Sequence, residues 1–447
     1  MTPLFPHPKN PHYFSDGTGK AIYLTGSHTW ANLQDFGVIG EPLFNYQDFL
    51  EFLTVNNHNF MRMWAIEHFC ELKQTGKHVI VYPLPYQRTG PGLAVDGKPK
   101  FDLRKFNPEY FERMRSRIIA ARDRGIFVSI MLFLWYSLGD SGTDGNRWQF
   151  HPFHRLNNIN GIDGDPVCQG NGDATHTLVH PAVTDLQKGY ICQVIDAVND
   201  LDNVLYEIAN ESPIASKEWQ YHLIDFIHDY ERQKPCQHPV GMTAHMDIGV
   251  RQGSFDELLN SPAEWISPSM GDGGGNWRED PMIAEGRKVI LTDTDHLWGI
   301  GGDRQWVWKS FCRGLNPIFM DPWQPWPEIS ALWKVINRRD YPAWEDVRRN
   351  MGYSRSYAER INLEEAFPSI VTSGTRYALV NPGKQILIYQ PTAGNSFTVM
   401  LEPGSYSFEW FDPAHGEVVK TGTLQIKDPS MAFTPPIISD AVLYLYQ

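Results

Sequence analysis

The chain has 447 residues, 42% hydrophobic and 20% charged, which is typical of a soluble globular protein with an ample core. Its formal net charge of −13 argues against nucleic acid and anionic membrane surfaces as partners, because both attract basic patches. The length suits a barrel of about 250 residues or more with an accessory domain.

Apolar runs in the first half of the chain predict four strands with helices between them. Asp16 and Gly17 supply the turn of a small N-terminal hairpin. The nearly continuous apolar run 126–134 is typical of a parallel strand that is covered on both faces. In chain order we predict strand 21–26, helix 45–56, strand 59–65, an irregular insertion over 66–106, helix 107–124, strand 126–134, a long loop over 137–180 and helix 184–201 with its cap at Thr184. A fourth strand follows within the stretch 203–212, opening with the apolar run 204–206 and ending in polar residues.

The second half continues the alternation and then changes its period. We predict helix 216–233, strand 238–245, helix 255–259, strand 265–270, strand 288–295, helix 304–313, strand 316–320 and helix 345–360. Eight strands alternating with helices predict a (β/α)8 TIM barrel over residues 1–365, including the N-terminal hairpin. Beyond about residue 370 the apolar residues alternate with period two, which predicts an antiparallel β-sandwich domain over 366–447.

The five cysteines are scattered and odd in number, without metal-ligand spacing, so we expect reduced thiols. The first residues lack a basic region followed by an apolar run, and no stretch is apolar enough to cross a membrane. We therefore expect a cytoplasmic protein, or a periplasmic or secreted one if a leader has been trimmed.

Polar and aromatic side chains stand where the predicted strands end, and in a barrel of this kind the chemistry lies at the carboxyl ends of the strands. The residues at these ends are His28, Trp30, Arg62, Trp64, Trp135, Tyr136, Asn210, Glu211, His245, Asp272, Asp293, Asp295, His296, Asp321 and Trp323.

Carboxylates at the fourth and seventh strand ends predict the central chemistry. Hydrolysis of a glycosidic bond uses two carboxylates that flank the scissile bond. Glu211, directly after Asn210, is the candidate acid/base, and Asp293 is the candidate nucleophile, with Asp295 as its substitute. The two aspartates are two positions apart on a predicted strand and should point to the same side. The alternatives are a helix cap or solvent exposure for Glu211, and a turn or cap for the aspartates.

The other strand-end residues have predicted supporting roles. An Arg62 in a strand otherwise rich in Met and Phe needs a carboxylate partner, because an unpaired buried cation is very costly. We expect Arg62 and Asn210 to position the strand-seven carboxylate and the sugar. Candidate pocket walls are Trp64, Trp135, Trp298 and Trp323, with core packing as the alternative for each. His28 and His245 could bind hydroxyl groups or be purely structural.

Together these motifs resemble the retaining glycoside hydrolases of the large clan built on (β/α)8 barrels. In that clan an Asn-Glu pair ends strand four, the nucleophile ends strand seven, an Arg on strand two binds the nucleophile, and a Trp follows strand eight. The matching residues here are Trp30, Arg62, Asn210, Glu211, Asp293 and Trp323. The clan normally has Glu at strand seven, whereas this chain has Asp.

Two further stretches resemble a narrower bacterial subgroup. They are Tyr23-Leu-Thr-Gly-Ser-His-Thr-Trp30 and, near the C-terminus, Trp410-Phe-Asp-Pro413. Members of that subgroup pair a catalytic barrel with a sandwich labelled as collagen-binding, and they include apiosidase-type enzymes. The resemblance implies a retaining glycosidase. Our hypothesis is that it needs no cofactor and is exo-acting on an oligosaccharide or a glycan side chain.

Two other functions remain open at this point. A metal-dependent hydrolase could use His28, His180, His245, Asp295 and His296 as ligands, although the first strand lacks a His-x-His pair. A carbohydrate-binding protein without catalysis is the third reading.

Overall fold

The structure is a computed structural model that describes residues 2–38, 44–72, 78–139, 146–247, 250–252, 254–269, 275–323 and 342–447. Its centre is one sheet of eight parallel strands, which confirms the predicted (β/α)8 barrel. These strands are β1 (Gly26–His28), β2 (Phe60–Trp64), β3 (Phe127–Leu134), β4 (Val204–Asn210), β5 (Val240–Thr243), β6 (Trp265–Ser267), β7 (Val289–Asp293) and β8 (Asn316–Met320). Asp272, at the predicted end of strand six, lies outside the described residues.

The strand order closes the sheet on itself. Hydrogen-bonded neighbours run from β1 through β8, β7, β6, β5, β4 and β3 to β2. The backbone N–H of Asn59 then donates to the carbonyl oxygen of Thr25 at 3.0 Å, which links β2 back to β1. Gly26 permits this close approach, because a Cβ at that position would collide with the carbonyl oxygen of Phe60.

Alternation along the strands separates the barrel interior from the helix layer. On β4, Leu205 belongs to a buried cluster inside the barrel, whereas Val204, Tyr206 and Ile208 pack in the large core that includes the helices. The same interior cluster contains Phe60, Trp265, Val289, Leu291 and Ile318. Large apolar side chains therefore fill the barrel, and the polar residues described below lie toward the carboxyl ends of its strands.

Helices surround the barrel close to their predicted positions, except for one short helix after β7, where a continuing strand was predicted. They are α1 (Tyr46–Val55), α2 (Pro108–Arg122), α3 (Pro181–Val198), α4 (Lys217–Glu231), α5 (Phe255–Leu259), α6 (Thr294–Leu297), α7 (Arg304–Cys312) and α8 (Pro342–Ala358). The predicted cap at Thr184 is wrong: α3 begins one turn earlier, after His180, because Pro181 suits the first helical position. No helix in the described ranges is long and apolar enough to span a bilayer.

The insertion that we predicted as irregular contains regular antiparallel strands. Strands Asp35–Val38, Cys70–Leu72 and His78–Tyr82 form a three-stranded sheet, and Tyr86–Leu93 pairs with Pro99–Phe106. Pro and Gly in these strands break the period-two pattern, and the pairing shifts register between Arg88 and Leu93.

The C-terminal sheets form the predicted sandwich. Its strands are β9 (Phe367–Ser369), β10 (Ala378–Asn381), β11 (Gln385–Gln390), β12 (Phe397–Met400), β13 (Gly404–Asp412), β14 (Glu417–Ile426), β15 (Ser430–Phe433) and β16 (Ala441–Tyr446). Six of them form one antiparallel sheet, and β12 pairs with β15.

One face of the larger C-terminal sheet packs on the barrel. Ile386 and Ile388 belong to the core of the sandwich, whereas Leu387 and Tyr389 pack with Trp308 of α7. An ion pair from Arg304 to Asp440, 2.8 Å between Nη2 and Oδ1, adds a polar contact to this interface. The sandwich is therefore fixed on the helices that flank β8.

Candidate active site

Arg62 lies at the centre of the predicted site. The inward face of β2 carries it into the barrel, where only 1% of its surface is exposed. Its Nε and Nη2 donate to the two oxygens of Glu207 at 2.9 and 2.5 Å, and Nη2 also donates to Asn210 Oδ1 at 2.5 Å. Nη1 donates to Asp293 Oδ2 at 2.8 Å and to Asp295 Oδ2 at 3.3 Å. One guanidinium thus joins β2, β4 and the end of β7, and the expected carboxylate partners are present.

Asp293 ends β7 and is completely enclosed. Besides Arg62, His28 Nε2 lies 3.1 and 3.0 Å from its two oxygens, and the backbone N–H of Asp295 donates to its Oδ1 at 2.9 Å. Trp64 Nε1 donates to His28 Nδ1 at 3.0 Å, so the proton of a neutral His28 is on Nε2 and faces Asp293. Burial alone would raise the pKa of Asp293, but His28 and Arg62 outweigh it and hold this pKa well below its usual range.

The prediction that Asp295 lies on the seventh strand is wrong: it lies on the one-turn helix α6. Asp293 caps this helix by accepting from the N–H of Asp295, so the cap alternative describes the geometry of the pair. The side chains nevertheless converge on Arg62. Burial and the neighbouring charge of Asp293 raise the pKa of Asp295 to about 6.

Asn210 is held by hydrogen bonds to its amide oxygen. Arg62 and His296 Nε2 both donate to Oδ1, the latter at 2.9 Å, and the hydroxyl of Ser267 at the end of β6 lies 2.8 Å from His296 Nδ1. In the described part of the chain nothing accepts a hydrogen bond from Nδ2 of Asn210. That amide N–H2 is oriented away from the cluster and can serve a ligand hydroxyl.

Glu211 directly follows β4 and is half-buried. Its φ of +56° is left-handed, a conformation that costs a non-glycine residue about 1 kcal/mol or more. The next residue, Ser212, is buried, and its hydroxyl lies 2.9 Å from His176 Nδ1. A strained residue held by its neighbours at a strand end is typical of a functional position.

The predicted aromatic residues have different surroundings. The rings of Trp30, Trp135 and Trp298 are half-buried. Trp30 lies edge-on to Trp64 at 6.4 Å, Trp135 Nε1 donates to Asp173 at 2.9 Å, and Trp298 is perpendicular to Trp306 at 5.5 Å. Each of these three rings has neighbours on one part of its surface and remains a candidate for the wall of a pocket.

Trp64 and Trp323 are core residues in this structure, so the packing alternative describes them. Both are 3% exposed. Trp64 is stacked on His28 with ring centroids 5.8 Å apart, whereas Trp323 packs against Phe44, Phe49 and Phe52. Neither ring presents a face to a sugar.

Two further strand-end residues lie outside the cluster around Arg62. His245 follows β5 at the start of a short hairpin, and burial lowers its pKa to about 4, so it is neutral near pH 7. Asp321 follows β8 and binds Arg348 through both oxygens, at 2.8 and 2.5 Å. No contact between either side chain and Arg62 is seen among the described residues, and the pair with Arg348 identifies Asp321 as a structural residue.

The predicted metal ligands do not form a binding group. Among the described residues no three His, Cys, Asp or Glu side chains are arranged to hold a metal ion. Both ring nitrogens of His28 and of His296 already have protein partners. His180 is the residue before α3, and its side chain does not cap that helix.

Glu207 is the functional residue that the sequence prediction missed. It lies within the apolar strand β4, is fully buried, and forms a bidentate pair with Arg62. The signal was available, because we required a buried carboxylate for Arg62 and Glu207 is the acidic residue inside an otherwise apolar strand.

Known proteins share this architecture. A family model described as a domain of unknown function (DUF6298) matches residues 75–258. No match was found among the curated proteins. A solved structure named glycoside hydrolase is 12% identical, with 100% of this chain and 97% of that chain covered and a TM-score of 0.63. A glycoside hydrolase family 5 protein from Bacteroides vulgatus is also 12% identical, covers 100% and 93%, and has a TM-score of 0.64. At this identity the likeness shows the fold.

Proposed function

We propose that this protein is a glycoside hydrolase. The observation that carries the proposal is the cluster around Arg62, which collects Glu207, Asn210, Asp293 and Asp295 at the end of the barrel where Glu211 follows β4. Sugar hydrolysis needs two carboxyl groups in different environments at one site. The solved structures named above, which have the same fold, bear the name glycoside hydrolase and support this assignment.

In the proposed reaction, Glu211 gives its proton to the oxygen of the leaving group as the glycosidic bond breaks. A strand-seven carboxylate forms a bond to the anomeric carbon, and the leaving group departs as an alcohol. Water then attacks the same carbon, gives its proton to Glu211, and releases the carboxylate. Asn210 Nδ2 is the group that would hold a sugar hydroxyl. This sequence retains the configuration of the anomeric carbon.

Exo-action on an oligosaccharide or a glycan side chain is the finer part of the proposal. It is supported by the long segment 146–180, which has two hydrogen-bonded contacts near the site. His176 of this segment contacts Ser212, the residue after Glu211, and Asp173 accepts from Trp135 Nε1. A segment fixed on the rim in this way favours a pocket for a chain end over an open cleft. We extend the proposal to apiosidase-like substrates on the basis of the sequence motifs, and to the cytoplasm as the location.

A panel of aryl glycosides tests the proposal, with the anomer of the first product followed by NMR. We expect one or more substrates to be cleaved with retention, and Glu211→Gln to lose about 10²- to 10⁴-fold in kcat on substrates whose leaving group needs protonation. Glu218→Gln, on the exposed side of α4, is the matched control and should keep full activity. Equal turnover by Glu211→Gln and the wild type would exclude the assignment, and sugar binding without turnover would indicate a carbohydrate-binding protein.

A further inference from the structure

We propose that Asp295, rather than Asp293, is the strand-seven carboxylate that bonds to the sugar, and that Asp293 is a positioning residue behind it. The inference rests on the proposed glycosidase function. The resemblance favoured Asp293 slightly, because Leu291-Thr292-Asp293 fits the strand-seven motif of the clan if Asp replaces Glu. The contacts of the two side chains favour the opposite assignment.

Asp293 has no open side. None of its surface is exposed, Arg62 and His28 occupy its oxygens, and the N–H of Asp295 binds Oδ1. A nucleophile must come within about 3–3.5 Å of the carbon that it attacks. Asp293 could do so only if these hydrogen bonds were broken and the surrounding side chains moved. Its surroundings are those of a group that orients other groups.

Asp295 has an open side. It is 8% exposed, and its contact with Arg62 is made through Oδ2 at 3.3 Å. Within the described residues nothing donates a hydrogen bond to Oδ1, and this oxygen is not among the fully enclosed, unpaired polar atoms. Oδ1 is therefore accessible while Oδ2 is held, which is the arrangement that a positioned nucleophile requires.

The local backbone explains how Asp295 replaces the usual residue. An Asp at the strand end is one methylene shorter than the Glu of the resembling clan. β7 ends at Asp293 and the chain continues directly into α6, in which Asp295 is the second residue. The side chain of Asp293 caps this helix by accepting from the N–H of Asp295. The chain thus provides, two residues after the strand end, a second carboxylate that also contacts Arg62.

The electrostatics of the pair agree with these roles. Among the described residues, the charged and titratable groups that act on Asp295 include Arg62, Asp293, His28 and His296. Asp293 keeps its charge because Arg62 and His28 face it. Asp295 must be ionised to attack the anomeric carbon, and Glu211 must be protonated to release the leaving group. Activity should consequently rise as Asp295 loses its proton.

Labelling tests the assignment directly. An aryl glycoside of the active series that carries 2-fluoro in place of the 2-hydroxyl traps the glycosyl-enzyme ester, and fragmentation of the labelled peptide identifies its residue. We expect the ester on Asp295. An ester on Asp293 would overturn the proposal, and an ester on Glu211 would overturn the roles in the proposed function instead.

Variants provide a second test that does not require trapping. With a dinitrophenyl glycoside, whose departure needs no acid, Asp295→Asn should lose about 10³-fold or more in kcat/KM. Glu211→Gln should keep most of its kcat/KM, because this parameter reports bond cleavage and not the later attack by water. Asp293→Asn should remain active, with the acidic limb of its pH profile moved to lower pH because a like charge beside Asp295 has been removed. A fully inactive Asp293→Asn beside an active Asp295→Asn would refute the inference while leaving the glycosidase assignment intact.

Discussion

Replacing Asp295 with Asn should make the protein more stable at neutral pH. Burial and the charge of Asp293 raise the pKa of Asp295 to about 6, from an ordinary value of 3.8. A group whose pKa is raised by folding stabilises the folded state below its unfolded pKa and loses that contribution as the pH rises through the folded pKa. At pH 8, where Asp295 is ionised, the free energy of unfolding of the wild type should therefore be about 3 kcal/mol lower than that of Asp295→Asn, whose amide is neutral.

The pH dependence separates this effect from an ordinary packing change. The advantage of Asp295→Asn should grow from about 1 kcal/mol at pH 4.5 to about 3 kcal/mol at pH 8, since the carboxyl group titrates between these values. Loss of the 3.3 Å contact with Arg62 would subtract a roughly constant amount. Urea denaturation of both proteins at pH 4.5, 6 and 8 measures the difference in the free energy of unfolding.

Asp293→Asn is the matched control and should behave in the opposite way. The pKa of Asp293 is held low in the folded state, so its charge stabilises the protein above the unfolded pKa and this contribution is lost as the pH falls. Removing the charge should destabilise the protein by a similar amount at pH 4.5, 6 and 8, because all three values lie above the unfolded pKa of 3.8 and the contribution is lost only at lower pH. If Asp295→Asn gives no gain, or a gain that is the same at every pH, the electrostatic reasoning for this pair is wrong.

Three further predictions follow from the same cluster. Arg62→Met should lower the free energy of unfolding at pH 7 by about 3–5 kcal/mol, because it leaves buried carboxylates without their cation, and a loss below 1 kcal/mol in urea titrations would contradict the geometry. Glu211→Gly should abolish turnover of the aryl glycosides yet raise stability by about 1 kcal/mol, since glycine accepts the φ of +56° without strain; a drop in melting temperature would count against a strained Glu211. Dialysis against a chelator should leave kcat unchanged, whereas loss of activity that returns with added metal would favour the metal-dependent alternative.

The barrel could be predicted because its pattern is local. Most strands are apolar runs, most helices have apolar residues at helical spacing, and Asn45, Asn107 and Asp303 cap helices in the usual way. β1 (Gly26–His28) is an exception, since it begins where the predicted apolar run 21–26 ends. The antiparallel strands between Cys70 and Phe106 could not be predicted in this way. Their partners are other short strands, including Asp35–Val38 outside the insertion, and Pro and Gly interrupt the alternation on which a strand prediction depends.

The roles of the site residues were even harder to predict, because they depend on partners that are distant in the chain. A Glu inside an apolar strand, such as Glu207, has meaning only through a partner 145 residues away. The run Asp293-Thr-Asp295 fits both a continuing strand and a helix cap, and the choice between them depends on where the N–H of residue 295 finds its acceptor. The packing of Trp323 against α1 likewise depends on contacts between distant parts of the chain.

The guanidinium of Arg62 has a consequence for how the barrel assembles. Its partners in β4 and β7 come 145 and 231 residues later in the chain. A partly formed barrel that lacks either side would therefore bury Arg62 without its carboxylates, or the carboxylates without Arg62, and an unpaired buried charge is costly. Half-barrels are thereby disfavoured, and the last strands should dock in a cooperative step. In a hydrogen-exchange experiment, the backbone amides of β2, β4 and β7 should then exchange together. The amides next to Arg62, Glu207 and Asp293 should be among the slowest.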